Sequence, residues 1–361
     1  MGRFRQALVA IATAALLAGG LVGVVSAPAG ALTVINVTTS ADSGAGSLRQ
    51  AFIDASSGGV DQAADVEIDI PASVGTITLT GGQLVYDGGS GGAHTLTLRG
   101  SGNTVHQATA SNRVIADTSS GLLTVSGLAL TGGDDHGGAI FAAGSATVTD
   151  STLSGNTGPG GGGAIFANGS VTVINSTISG NTVPAGSGRG GAIEEGGTIT
   201  LVYATIADNT ANPSANLDAS GTGALVSFGS VVALPQSGGT NCNNLTGTTS
   251  HGFNLEDDAG ASCGFSTGTG DLAPGTAPNL GALTNNGGPT QTMLPQPGSA
   301  LIDAIPDPSC QADGATGITT DQRGFSRPSP PAGACDVGAV EVQVPVPPPP
   351  SAVVVTPLFT G

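Results

Sequence analysis

The chain has 361 residues, 61 of them glycine, no tryptophan and only 9% charged side chains. Its basic residues are all arginines, and the formal net charge of −17 excludes nucleic acid and anionic membrane surfaces as natural partners. Few aromatics and many small turn residues exclude a conventional large core and point to a tightly wound all-β chain.

Residues 1–31 read as a secretory signal peptide. Arg3 and Arg5 supply the positive start, Ala7 to Val25 the apolar run and Ala29-Gly30-Ala31 a small-x-small cleavage site, with Leu32 the expected mature start. The run is long enough for an uncleaved anchor, but Gly19, Gly20, Gly23 and Pro28 weaken a spanning helix. Cleavage removes two arginines and leaves a still more acidic mature chain, expected outside the cell or on its surface without membrane insertion.

Residues 32–75 are expected to form an N-terminal cap. Thr33 to Thr39 alternates as a strand, and Ser47 to Ala55 reads as a short helix with Leu48, Ala51, Phe52 and Ala55 on one face. Ser47 is placed to cap it, with Gln50 at the capping-box position. The helix is expected to act as a lid over the first coil of a solenoid.

Residues 76–285 are expected to wind as that solenoid, starting with less regular strands at Thr76 to Thr80 and Thr95 to Leu98. From 115 to 231 one pattern recurs five times, most clearly from Gly137-Gly138-Ala139-Ile140-Phe141, from Gly162 and from Gly190. Three apolar columns run through it: Ile115, Ile140, Ile165, Ile193; Leu123, Val148, Val173, Leu201, Val226; and Leu128, Leu153, Ile178, Ile206, Val231. No single repeat can bury its own apolar face, so repeats of this length stack. Each holds three short alternating runs separated by turn residues, which predicts an all-β, right-handed parallel β-helix of three-strand coils rising about 4.8 Å per coil. Asn156, Asn181 and Asn209 come after the third run of their repeats and read as a structural ladder of stacked amides, with Asn chosen for its tolerance of the left-handed backbone. Phe141 over Phe166 reads as an outward stack, and the glycine pairs as turn residues.

All four cysteines lie beyond residue 241, without C-x-x-C spacing, so two disulfides are expected. Of the three possible pairings, Cys242 with Cys263 and Cys310 with Cys335 is preferred, because each closes a loop of about one coil. Residues 286–343 are expected to form an irregular C-terminal cap. Its charged residues, Asp303, Asp307, Asp313, Asp321, Arg323, Arg327, Asp336 and Glu341, are read as ties in which the arginines pair with Asp321, Asp336 or Glu341, in preference to a Ca²⁺ or sugar site. Residues 344–361 read as a stiff Pro-rich linker and tail.

The segment Gly46-Ser47-Leu48-Arg49-Gln50-Ala51 resembles the Cys-Ser-Leu-Arg-Glu-Ala opening of many secreted bacterial β-helix proteins, with Gly46 and Gln50 in place of its Cys and Glu. The GGAI copies with their trailing Ser-Gly-Asn resemble polymorphic outer membrane protein repeats. Asn285 to Thr290, Pro297 to Asp303, Asp321 to Gly324 and Cys335 to Glu341 resemble the closing choice-of-anchor Q domain. The resemblance implies a surface or secreted right-handed parallel β-helix and carries no catalytic residues.

Pectin-degrading enzymes share this architecture, so chemistry must be weighed. Asp134, Asp135 and His136, with Arg189, Glu194 and Glu195, are the best local candidates, His136 and Arg189 falling in one column two coils apart. The chain has no lysine to serve as base, and no Ser-His-Asp set or metal-spaced cluster can be assembled. No catalytic residue, metal or cofactor is therefore assigned. The expectation is a non-enzymatic secreted or surface scaffold presenting a wall to an extracellular glycan or protein, with a polysaccharide lyase or hydrolase as the alternative.

Overall fold

A computed structural model describes residues 32–56, 65–88, 94–220, 223–312 and 314–344. The signal peptide, Asp313 and the tail from 345 lie outside the described residues. The chain is a parallel β-solenoid with three walls. The first wall is a seven-stranded sheet of Leu84–Tyr86, Ile115–Asp117, Ile140–Ala142, Ile165–Ala167, Ile193–Glu195, Ser214–Ala219 and Thr240–Asn243, which numbers the coils one to seven. The second and third walls share a larger sheet, because in coils one and two they are joined as the single long strands Leu96–Gln107 and Leu122–Thr131. From coil three they separate into pairs such as Ser145–Thr149 with Thr152–Ser154 and Val171–Ile174 with Thr177–Ser179. Every pairing among these strands is parallel.

Alternation turns every second side chain inward, and the inward columns fill the bore. On the first wall Leu84, Ile115, Ile140, Ile165, Ile193, Leu217 and Cys242 stack in register, as the repeat predicts for its four isoleucines. The other two predicted columns hold in their middles and slip at their ends. Leu123 pairs with Ala146, and Val125 is the residue over Val148; Leu130, not Leu128, lies over Leu153. At the far end Ser227 comes after Leu201 and Val232 after Ile206, while Val226 and Val231 face outward. The cause is loop length: four residues join the first and second walls at 118–121 and at 220–223, against two at 143–144 and 196–197.

Left-handed residues turn the corners. Gly155, Gly180 and Asp208 have φ of 62°, 69° and 62° and stand immediately before Asn156, Asn181 and Asn209. The expected left-handed role thus belongs to the preceding residue, and the asparagines are there for their amides. In the GGAI motif the first glycine is left-handed (Gly162, φ 58°), and the second is enforced by its neighbour: a Cβ on Gly163 would lie 2.0 Å from the Gly191 carbonyl oxygen of the next coil.

The helix α1 (Leu48–Ala55) closes the first end, with Leu48, Ala51, Phe52 and Ala55 buried as the pattern predicts. Ser47 accepts the Gln50 N–H at 3.1 Å, but the Gln50 side chain donates to Asp54, so only half of the capping box forms. At the far end the bore is stopped by Cys263 and Phe265, both fully buried. Glu256, last in the third-wall column after Val232, accepts the N–H groups of both at 2.7 Å. The two disulfides are Cys242–Cys263 and Cys310–Cys335.

The irregular C-terminal segment lies along the flank of the solenoid, against coils three to six. Its bonds to the wall include Gly338 N–H to Gly229 O, Ala339 N–H to Thr205 Oγ1, Thr177 Oγ1–H to Gln322 and Thr152 Oγ1–H to Gln291 O. A second apolar cluster lies between this strap and the outside of the last coils, built on Tyr203, Phe228, Phe253, Leu301, Ile305 and Val337.

Candidate functional site

On the first wall the residue after each inward one points out of the bore, which makes a column of Ala116, Phe141, Phe166, Glu194 and Asp218 across coils two to six. Phe141 and Phe166 stack with ring centroids 5.7 Å apart and planes 12° from parallel. From the coil-two side the Arg113 guanidinium covers Phe141 at 4.8 Å and ion-pairs with Asp135. The His136 ring lies 4.0 Å from Phe166. Ring faces that would stack on a ligand are therefore occupied by neighbours within the wall.

The predicted candidates fall into two small groups. Asp134 accepts the Ser111 N–H at 3.1 Å, and Asp135 accepts the His136 N–H at 2.7 Å besides its pair with Arg113. Burial works to raise the Asp135 pKa, but the bonds from Arg113 and His136 outweigh it and hold the carboxyl below its usual range. Burial, reinforced by the Arg113 charge, pushes the His136 imidazole down, and its buried Nε2 has no hydrogen-bond partner. The second group is Glu194 with Arg189. Burial pushes Glu194 up to about 7, helped by Asp218 on the next rung and opposed by Arg189, and its buried Oε2 also has no partner. Glu195 points to the other side of the strand, takes the Gly197 N–H and is raised to about 7 by burial.

His136 and Arg189 do share a column, but the glycine loop of coil four passes between them. Gly137 N–H donates to Gly161 O at 3.1 Å and Gly162 N–H to Arg189 O at 3.0 Å. Gly160 lies against the His136 ring, and a Cβ on Gly161 would fall 1.6 Å from Glu194 Oε2. Asp134, Asp135, Arg189 and Glu194 thus do not converge on one groove. Among the described residues no group of three or more His, Cys, Asp or Glu could hold a metal ion. Arg113 and Asp218 escaped sequence reasoning; Arg113 was legible only as the residue two before Ile115, where the later coils carry glycine.

Asn156 donates through Nδ2 to Asn181 Oδ1 at 2.9 Å, and Asn181 to Asn209 at 3.0 Å. The ladder then continues through Asn216, Asn241 and Asp257, which the repeat had not marked. All three of its predicted members are buried.

In the strap, Arg323 grips Asp321 at 2.7 Å and donates to the carbonyls of Asn286 and Glu341. Arg327 lies 3.9 Å over the Tyr203 ring, 3.8 Å from Glu341, and donates to the carbonyls of Asp336 and Gly338. Asp336 accepts the N–H groups of Asp303 and Val342. These carboxylates are filled by the chain's own donors and hold irregular backbone in place.

Compared with protein-family models, with curated proteins and with solved structures, the chain matches none.

Proposed function

We propose that this chain is an exported, non-enzymatic scaffold that stands outside the cell or on its surface and presents a solenoid wall to an extracellular glycan or protein. The observation that carries this reading is the spending of polar side chains on structure. Asp134, Asp135 and the strap carboxylates accept bonds from the chain itself, and His136 is packed between coils. The signal-like start, the acidic balance and the resemblance of the GGAI and C-terminal motifs to surface β-helix proteins support the same reading. Incubating the mature chain with polyuronides and following unsaturated or reducing products tests it: no turnover is expected, and product release abolished by Asp135→Ala would overturn it.

One observation favours the second reading, a glycoside hydrolase or lyase. Glu194, pushed up to about 7, faces Asp218 on the adjacent rung of an outer wall, as an acid awaiting a proton transfer would. Turnover lost in Glu194→Gln would establish it.

A further inference from the structure

The second wall carries a column that neither the strap nor the candidate site uses. Its outward residues Thr97, Thr124, Thr147, Thr172, Thr200, Val226 and Thr249 succeed one another in continuous register, one per coil. On the third wall the corresponding threonines, Thr152, Thr177 and Thr205, are all bonded to the strap. The threonine hydroxyls of this second-wall column take no hydrogen-bond partner among the described residues. The solenoid thus uses one threonine ladder to hold an extended chain of polar groups and leaves a second one open.

Two features define what the open ladder fits. From Leu122 to Val202 the outward strand positions of this wall are threonine, serine or aliphatic, with no charge among them, although the chain as a whole is strongly acidic. A charge-free face selects a neutral partner. At Thr200 and Val226 the column runs into a cleft of about 340 Å³ between the wall and the strap, lined also by Val202, Phe228, His251 and Gly314. The occupant must offer hydroxyls at regular intervals along the ladder and apolar C–H faces in the cleft.

We propose that the second wall is the binding track of a neutral, unbranched polysaccharide, lying along the solenoid axis with its hydroxyls on Thr124, Thr147, Thr172 and Thr200 and a ring seated against Val226. The rungs repeat at about 4.8 Å, so each sugar ring of an extended chain meets about one threonine, directly or through water. This rests on the scaffold reading and names the ligand class of its wall. Acidic polymers such as polyuronides are disfavoured, because no strand position of this wall from Leu122 to Val202 carries a cation to meet them.

The test is retention of the mature chain on amylose, cellulose and β-1,3-glucan, with polygalacturonate and alginate in parallel. The variant Thr147→Val/Thr172→Val removes two hydroxyls from half-exposed positions without changing volume, and its melting temperature reports that the fold is intact. At least one neutral polymer should retain the wild type, with at least tenfold weaker retention of the variant. Equal retention of wild type and variant, preference for the acidic polymers, or no retention on any neutral polymer would overturn the proposal. Binding of a glycan or protein that is unchanged in the variant would remove this wall and leave the scaffold reading standing, which separates the two failures.

Discussion

Asn181 Nδ2 donates to Asn209 Oδ1 at 3.0 Å, while Asn181 Oδ1 receives both the backbone N–H and the side-chain amide of Asn156, at 3.1 and 2.9 Å. One side chain therefore satisfies polar groups on three coils, in a place where water does not reach. Asn181→Ala removes four cross-coil hydrogen bonds, those to Asn209 Oδ1, to the Leu153 carbonyl and from the backbone and side-chain N–H groups of Asn156, at about 0.5–1.5 kcal/mol each. The expected loss is about 3 kcal/mol or more by denaturant unfolding, against a negligible change for the exposed Asn168→Ala.

Stability should rise on mild acidification. Burial pushes Glu194, Glu195, Glu256 and Glu341 up to about 7 from the ordinary 4.5. The folded chain holds these protons more tightly than the unfolded one, so their contribution is fully present below about pH 4.5 and is lost as the pH rises through 7. Asp42, Asp135 and Asp258 are lowered despite burial, by their hydrogen bonds, and act in the opposite sense only below about pH 4. Melting temperature is expected to fall between pH 4.5 and 7.5. Glu194→Gln, whose Oε2 accepts no bond, should raise it at pH 7.5 and leave it unchanged at pH 4.5.

The solenoid was legible because Ile140, Ile165 and Ile193 each open a coil behind the same glycine pair, and Phe141 over Phe166 repeats with them. Legibility failed where loops changed length. The four residues at 118–121 move Leu123 out of the expected register, and those at 220–223 help turn Val226 outward. The repeat marks three asparagines of the ladder but not Asn216, because this residue reaches the ladder from a first-wall strand instead of the corner after the third wall. The free threonine column was invisible because alternation marks which residues face out but not which of them the strap later covers.

The strap should be detachable without unwinding the solenoid. Gln322 donates to Ser151 O at 3.1 Å and to Thr152 Oγ1 at 2.9 Å, and accepts from Thr177 at 2.6 Å. Gln322→Ala removes these bonds together. Limited proteolysis within 286–343 is expected to accelerate about tenfold, equivalent to about 1.4 kcal/mol of easier local opening, with the β-sheet circular dichroism unchanged.

The disulfide at the end of the bore ties the last coil to its plug. Cys242 and Cys263 are 21 residues apart and both buried. Cys242→Ser/Cys263→Ser should cost about 3 kcal/mol on the chain-entropy account. Hydrogen exchange should quicken in Ser214–Ala219 and Thr240–Asn243 while Ile115–Asp117 keeps its protection.

The stacking of coils is tested most directly by cross-linking outward positions of the second wall. Thr147 and Thr172 are register partners one rung apart, and Thr200 lies a rung beyond Thr172. A rise of about 4.8 Å puts the first pair within disulfide reach and a pair two rungs apart beyond it. Because the four native cysteines are already bonded, added thiols can be traced by peptide mass spectrometry. Thr147→Cys/Thr172→Cys should close an intramolecular disulfide under mild oxidation and Thr147→Cys/Thr200→Cys should not; free thiols in the first variant, or a bond in the second, would contradict the solenoid.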